Sequence, residues 1–115
     1  MSGFYKEVNI KMDMPTVSEA IERVEQNIHN GKALGTGAIK IIHGYGSSGS
    51  GGKIRIAARK FLAQQKLCGS ITDYIEGESF SIFDSTTLDA FRRCPELRGD
   101  SDLEKHNNGI TIVVI

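Results

Sequence analysis

Residues 39–53 read IKIIHGYGSSGSGGK, a β-branched run that passes through His43 into a glycine-rich loop. The loop has five glycines within residues 44–52, and a helical pattern follows Lys53. Glycine lets the backbone approach a ligand closely, and a helix that begins after such a loop directs free N–H groups and its positive dipole end toward it. The stretch therefore predicts an anion site, most often a phosphate site, with a histidine at its edge.

The residues before the loop predict a βαβ unit. Apolar and polar residues alternate between Val8 and Met14, which predicts a first strand. Residues 16–19, TVSE, match a capping box, and apolar residues then recur at helical spacing up to Gly31, which is expected to end the helix. Residues 38–42 predict a second strand that is covered on both faces, so the glycine loop leaves the carboxyl end of a strand.

The residues after the loop extend this unit into a single α/β domain. A second helix is expected over about 53–67, a third strand over 71–75 and a last strand over 110–115. Between the last two strands the pattern is weaker, and only residues 85–91 predict a short helix. A chain of 115 residues fits one domain with a core of its own.

Composition narrows the class of protein. No apolar run is long enough to span a bilayer, and no hydrophobic segment typical of a secretory signal follows Met1. A cytoplasmic location without a membrane partner is therefore expected. Cys68, Cys94 and the three histidines lack the spacing of a zinc site, so no zinc site and no cofactor are expected, while a metal requirement stays open.

The charges are unevenly distributed, although the formal net charge is zero. Residues 27–72 contain no acid, whereas most of the acids lie within residues 73–104. Such asymmetry indicates the kind of partner rather than the fold, and the basic block favours a polyanion. Seven cations make up this block: Lys32, Lys40, Lys53, Arg55, Arg59, Lys60 and Lys66.

Two known phosphate-binding motifs fit the loop poorly. A Walker A motif, G-x-x-x-x-G-K-[ST], fails because Ser47 would take the place of its first glycine and Ile54 follows the lysine. Residues 44–49 match the Rossmann pattern G-x-G-x-x-G, but no acid follows about 20 residues later and the chain is short for two mononucleotide halves.

A resemblance to a known family fits better. HGYG at 43–46, after two isoleucines, resembles the HGxG motif of the Smr (small MutS-related) domain family. TVSEAI at 16–21 is similar to the family's T-V-x-E-A-L helix start, and GITIVV at 109–114 resembles its closing G-A-T-x-V-x strand. The resemblance implies a single-domain two-layer α/β sandwich with a mixed four-stranded sheet and two main helices. Residues at about 76–106 are then an acidic insertion.

Members of this family bind nucleic acid, and several are nicking or RNA-cleaving endonucleases. The resemblance therefore implies a DNA- or RNA-binding domain with a weak or degenerate endonuclease activity. The family's first-strand motif, L-D-x-H, departs here: aligned without gaps, Lys11 replaces the acid and Asp13 the histidine. Aligned on residues 12–15, the acid is Asp13 but a proline replaces the histidine. Without this histidine, we expect weaker cleavage of nucleic acid, whereas binding through the loop should be much less affected.

The hypothesis gives roles to residues in and around the loop. His43 is interpreted as a general acid/base or phosphate contact, and Asp13 as a residue that orients it or holds a metal. The alternatives are a structural histidine that fixes the loop through hydrogen bonds, and a surface aspartate in a turn. The candidate nucleic-acid contacts are loop residues and cations of the second helix: Gly44, Tyr45, Gly46, Gly52, Lys53, Arg55, Arg59 and Lys60.

Two other functions are consistent with the sequence. The loop could hold a small phosphate-bearing ligand instead of a polymer, or residues 73–104 could make the domain a protein-interaction module. The sequence distinguishes neither DNA from RNA nor one oligomeric state from another.

Overall fold

The computed structural model describes residues 5–44 and 51–115. They form one four-stranded sheet and three α-helices, with short 3-10 helices at Gly77–Ser79 and Pro95–Gly99. The elements in chain order are β1 (Tyr5–Asn9), α1 (Val17–Leu34), β2 (Ala38–Ile42), α2 (Gly51–Leu67), β3 (Asp73–Glu76), α3 (Ser85–Arg93) and β4 (Ile110–Val114).

The sheet is mixed, with strand order β1-β2-β4-β3. β1 and β2 are parallel, which confirms the βαβ unit, and β4 is antiparallel to both β2 and β3. The last strand in the sequence therefore lies inside the sheet. The mixed four-stranded α/β fold is confirmed, and β3 begins two residues later than predicted.

The first strand lies earlier in the sequence than predicted. β1 ends at Asn9, and of the residues that continue the alternation only Ile10 is buried, whereas Met12 is 58% and Met14 93% exposed. Asp13 and Met14 have φ values of 65° and 50°, which no strand residue can adopt. The prediction was wrong beyond Asn9 because the alternating pattern continues into a turn.

Helix α1 begins as predicted and ends later. The Thr16 hydroxyl accepts from the Glu19 N–H (3.1 Å), and the Glu19 carboxylate accepts from the Thr16 N–H (2.8 Å), which confirms the capping box. The helix continues past Gly31 and is capped by Gly35, which has a φ of 72°. A Cβ at Gly31 would lie 3.2 Å from Ile39 Cδ1, so Gly31 allows close helix–sheet packing and does not cap the helix.

Both faces of the sheet are covered. Helices α1 and α2 pack on one face, where Val24, Ile41 and Leu62 belong to one buried cluster. The chain between β3 and β4 packs on the other face through a second cluster that includes Phe80 and Phe91, whose rings meet edge to face at 6.5 Å. Within the described ranges, no helix is long and apolar enough to cross a bilayer.

Candidate nucleic-acid interface

His43 follows β2 at the carboxyl edge of the sheet, and its side chain is fully buried. The backbone N–H groups of His43 and Gly44 both donate to the Gly109 carbonyl at 3.0 Å. In the ring, Nδ1 lies 3.0 Å from the Gly44 carbonyl oxygen and Nε2 lies 2.8 Å from Thr111 Oγ1. The start of the glycine loop is therefore fastened to the beginning of β4 by both backbone and side chain.

These contacts fix the tautomer of His43. A carbonyl oxygen can only accept, so Nδ1 donates to Gly44 and Nε2 accepts from the Thr111 hydroxyl. Burial lowers the pKa of His43 to about 4, and the nearby charges of Arg59 and Arg55 act in the same direction. The ring is thus neutral near pH 7, in the geometry expected of a histidine that fixes the loop. Its role as a general acid/base stays a prediction.

Arg59 extends this network to the surface. Its Nε donates to Thr111 Oγ1 (3.1 Å), and its terminal nitrogens donate to the two Glu78 carboxylate oxygens at 2.9 and 2.7 Å. The hydrogen bonds from Arg59 hold the pKa of Glu78 below its usual range. The Arg59 side chain is only 13% exposed. Its guanidinium is therefore engaged by a carboxylate of this chain, and its predicted contact with nucleic acid stays a prediction.

The other predicted cations of α2 are differently placed. Lys53 and Lys60 are exposed and Arg55 is partly buried. None of the three forms an ion pair with any residue in the part of the chain that the structure describes. Arg55 is close enough to His43 and Glu78 for its charge to lower the pKa of both. Positive charge is thus available at the amino-terminal half of α2.

Lys11 adds a cation that the sequence analysis did not assign to the site. Gly44 has a φ of 82°, and a Cβ built on it would lie 3.2 Å from Lys11 Cδ and 3.6 Å from Lys11 Nζ. The Lys11 side chain therefore lies across the first glycine of the loop, and a side chain at position 44 would have to displace it. The available signal was the gapless alignment, in which Lys11 replaces the acid of the first-strand motif.

The remaining predicted residues are Gly52, Tyr45, Gly46 and Asp13. Gly52 lies in the first turn of α2, which contains no acid. Tyr45 and Gly46 lie outside the described residues. Asp13 is exposed and makes no hydrogen bond to His43, whose ring nitrogens both bond elsewhere. The catalytic role of Asp13 stays a prediction.

Comparison with known proteins identifies the family. The Smr domain profile matches residues 12–79, which is more than half of the chain and includes His43, Gly44 and all of α2. The crystal structure of the Smr domain of Thermus thermophilus MutS2 shares the fold, with a TM-score of 0.57 and 24% identity over 95% of each chain. No curated protein gives a significant match. This chain belongs to the Smr domain family, which is known for nucleic-acid binding and endonuclease activity.

Proposed function

We propose that this Smr domain binds the phosphate backbone of nucleic acid through a surface that we call the cationic edge. The observation that carries the proposal is a group of cations, beside Gly44 and on α2, that have no carboxylate partner among residues 5–44 and 51–115. Phosphate contacts are made by such side chains and by helix N-termini. The cationic edge consists of Lys11, Lys53, Arg55 and Lys60.

The spread of these cations favours a polymer over a small ligand. Lys53 and Lys60 are seven residues apart on α2, and a rise of about 1.5 Å per residue separates them by about 10 Å along the axis. That separation is about three nucleotide steps of one strand. A backbone that follows the helix can place a separate phosphate on each lysine, which a ligand with one phosphate cannot do. The same spread predicts little sequence preference, because phosphate contacts do not read bases.

His43 supports the loop in this proposal and does not contact the ligand. A general base must reach the proton that it abstracts, and the buried ring of His43 already uses both nitrogens within the protein. A nicking assay on the native chain and on His43→Ala separates the two roles. Equal residual cleavage in both would place any phosphodiester hydrolysis at another site or in a contaminant.

The test of binding is affinity as a function of salt. Fluorescein-labelled 20-mers of single-stranded RNA, single-stranded DNA and duplex DNA serve as probes in anisotropy titrations from low to high salt. Each phosphate contact that is lost should reduce the slope of log K against log salt by about 0.7–0.9. We expect Lys53→Ala/Lys60→Ala to reduce the slope by nearly two such steps, and Lys11→Ala by one.

Lys105→Ala is the matched control. Lys105 is exposed and lies in the segment on the other side of the sheet, so its removal changes the net charge equally without touching the cationic edge. The slope for this variant should equal that of the native chain. Equal effects of Lys105→Ala and Lys53→Ala, or an affinity that does not depend on salt, would contradict the proposal. Thermal shifts with mononucleotides, absent with the 20-mers, would favour the small-ligand alternative.

A further inference from the structure

A groove runs along the outer side of β3. β3 is one of the two edge strands of the sheet, and no strand among the described residues pairs with its outer side. All four β3 residues line a cavity of about 580 Å³, together with the end of α2 and the chain that leads into α3. Lys66 and Leu67 belong to one wall, and Ser79 and Asp84 belong to the other. The groove is therefore as long as the strand and is bounded on both sides.

The backbone of this edge is covered by a side chain rather than by a strand. The Tyr74 N–H donates to its neighbour's carboxylate, Asp73 Oδ1, at 2.8 Å. The same carboxylate forms an ion pair with Lys66 at 3.1 Å. Charged side chains that shield an open edge in this way hinder pairing between copies of a protein. The shield is a single exchangeable hydrogen bond, which a strand that fits the groove can replace.

The chemistry of the groove selects the strand that fits. Three carboxylates line it, from Asp73, Glu76 and Asp84. Two cations face them: Lys66 in the lining, and Arg59 outside it, which lies 4.0 Å from the Glu76 carboxylate. This excess of negative charge disfavours nucleic acid and favours basic side chains. Leu67 in one wall is 88% exposed.

Another exposed apolar side chain lies on the turn that leads into the second wall. Phe83, next to Asp84, is 89% exposed. The turn is held by Glu104, whose carboxylate accepts from the Ser81 hydroxyl at 2.8 Å and from the Ile82 N–H at 2.7 Å. These hydrogen bonds fix the backbone of the turn just before Phe83. One exposed apolar side chain, Leu67, therefore lines the groove, and a second, Phe83, adjoins the lining residue Asp84.

We propose that β3 accepts an extended peptide segment of a partner protein, with alternating basic and apolar side chains, as a fifth strand of the sheet. Addition of a strand supplies main-chain hydrogen bonds, and alternate side chains supply selectivity. This site is independent of the cationic edge and has the opposite charge. The two surfaces bind different classes of partner.

The experiment uses an acetylated and amidated octapeptide of alternating lysine and valine as the probe, added to the ¹⁵N-labelled full chain. We expect amide shift changes centred on Tyr74 and Glu76, with smaller changes at Leu67 and Phe83. As a control, an octapeptide of alternating glutamate and valine should cause none of these shift changes. Shift changes centred on the acidic outer face of α1, which includes Glu19, Glu22 and Glu25, would show non-specific attraction and overturn the proposal.

Two variants test the edge itself. Tyr74→Pro removes the outward N–H, and proline is tolerated on an edge strand, so peptide binding should be lost. Because the change also removes a packed side chain, Glu76→Lys is the second variant, and we expect its affinity to fall about fivefold. The matched control, Glu22→Lys on the exposed face of α1, should stay within about twofold of the native chain.

An unchanged affinity in Glu76→Lys would overturn the proposal. Sedimentation equilibrium of the free protein gives a further check. A dimer that the lysine–valine peptide cannot dissociate, and that Tyr74→Pro abolishes, would assign the β3 edge to a second copy of this chain rather than to a partner's peptide.

Discussion

The imidazole of His43 couples the stability of the fold to pH. Its pKa is about 4 in the folded protein against an ordinary value of about 6.5, so the unfolded chain binds the proton more readily. The stabilisation is fully present above about pH 6.5 and is lost as the pH falls toward 4. We expect this residue alone to lower the free energy of unfolding by about 2 kcal/mol between pH 7.5 and 5.0. Urea denaturation at several pH values measures it.

Substitution of a single histidine isolates this effect. His43→Gln should be less stable at pH 7.5 and should lose the part of the pH dependence that lies between 6.5 and 5.0. His29→Gln is the control, because His29 is exposed on α1 and does not contribute to the core. Parallel pH profiles for His43→Gln and the native chain would show that the buried ring is not the titrating group.

Of the glycines whose surroundings the structure describes, Gly77 has the least room for an added methyl group. A Cβ there would lie 1.9 Å from the Asn107 carbonyl oxygen and 2.6 Å from Ile110 Cγ1. Because the nearest atom belongs to the backbone, the chain must shift, and we expect Gly77→Ala to lower the free energy of unfolding by about 3 kcal/mol. Gly99→Ala, with no atom within 4 Å of the added Cβ, should change it by less than about 0.5 kcal/mol. Similar values for the two variants would contradict this view of the packing.

Among the elements, those with local signals were predictable and those set by distant contacts were not. The start of α1 is encoded in four consecutive residues, 16–19, whose ends hydrogen-bond to each other, so the prediction of a capping box was correct. The predicted end of α1 was too early because Gly31 makes room for Ile39 of the sheet and does not end the helix. The residues around Gly31 give no sign of this distant contact. The predicted end of β1 was too late because Ile10 belongs to a turn but is buried, so its position in the alternating pattern fits a strand residue.

In the candidate site, too, features with a local sequence signal were predictable and features set by distant contacts were not. The glycine loop and its histidine lie within one stretch of sequence, which is why their position at the end of β2 was predictable. The partners of that histidine were not, because Thr111 and Arg59 come from β4 and α2. Lys11 meets Gly44 only because the turn after β1 ends beside the loop. A sequence pattern gives the residue types at such a site, but not which charges are already paired.

The cap of α1 also gives a prediction for a single element. Thr16→Ala removes the acceptor for the Glu19 N–H, and we expect the free energy of unfolding to fall by about 1 kcal/mol. Thr16→Ser keeps the hydroxyl and should stay within about 0.5 kcal/mol of the native chain. Equal losses in both variants would mean that the threonine methyl group, and not the hydrogen bond, stabilises the helix start.

Across the whole molecule, the acidic part of the chain neutralises some cations of the basic part and leaves others free. Glu78 pairs with Arg59, and Asp73 pairs with Lys66. Lys40 is buried on β2 and contacts acids that follow α3. Among the described cations of the basic part, Lys32, Lys53, Arg55 and Lys60 form no ion pair, and the last three belong to the cationic edge. Internal ion pairs therefore help to decide where uncompensated positive charge lies.

The buried end of Lys40 gives a prediction at this scale. Lys40 pairs with Asp100 at 3.0 Å and with Asp102, and Tyr5 donates to Asp100 at 2.6 Å. Burial opposes the charge of Lys40, but hydrogen bonds to both aspartates outweigh it and raise the pKa of the lysine. We expect Lys40→Met to lower the free energy of unfolding by about 3 kcal/mol, because Asp100 stays buried without its cation. Lys6→Met, at an exposed position of β1, should change the free energy of unfolding little. Equal losses of stability in the two variants would contradict this account.

The position of β4 between β2 and β3 has a consequence for protein synthesis. A ribosome releases the chain in order, so β1, β2 and β3 leave the exit tunnel before the strand that joins two of them. Until residues 110–114 emerge, β2 has an open side, β3 has no partner, and the apolar face beneath Phe80 and Phe91 is incomplete. The domain therefore cannot close before β4 has emerged, and the uncovered apolar surface is open to a chaperone until then.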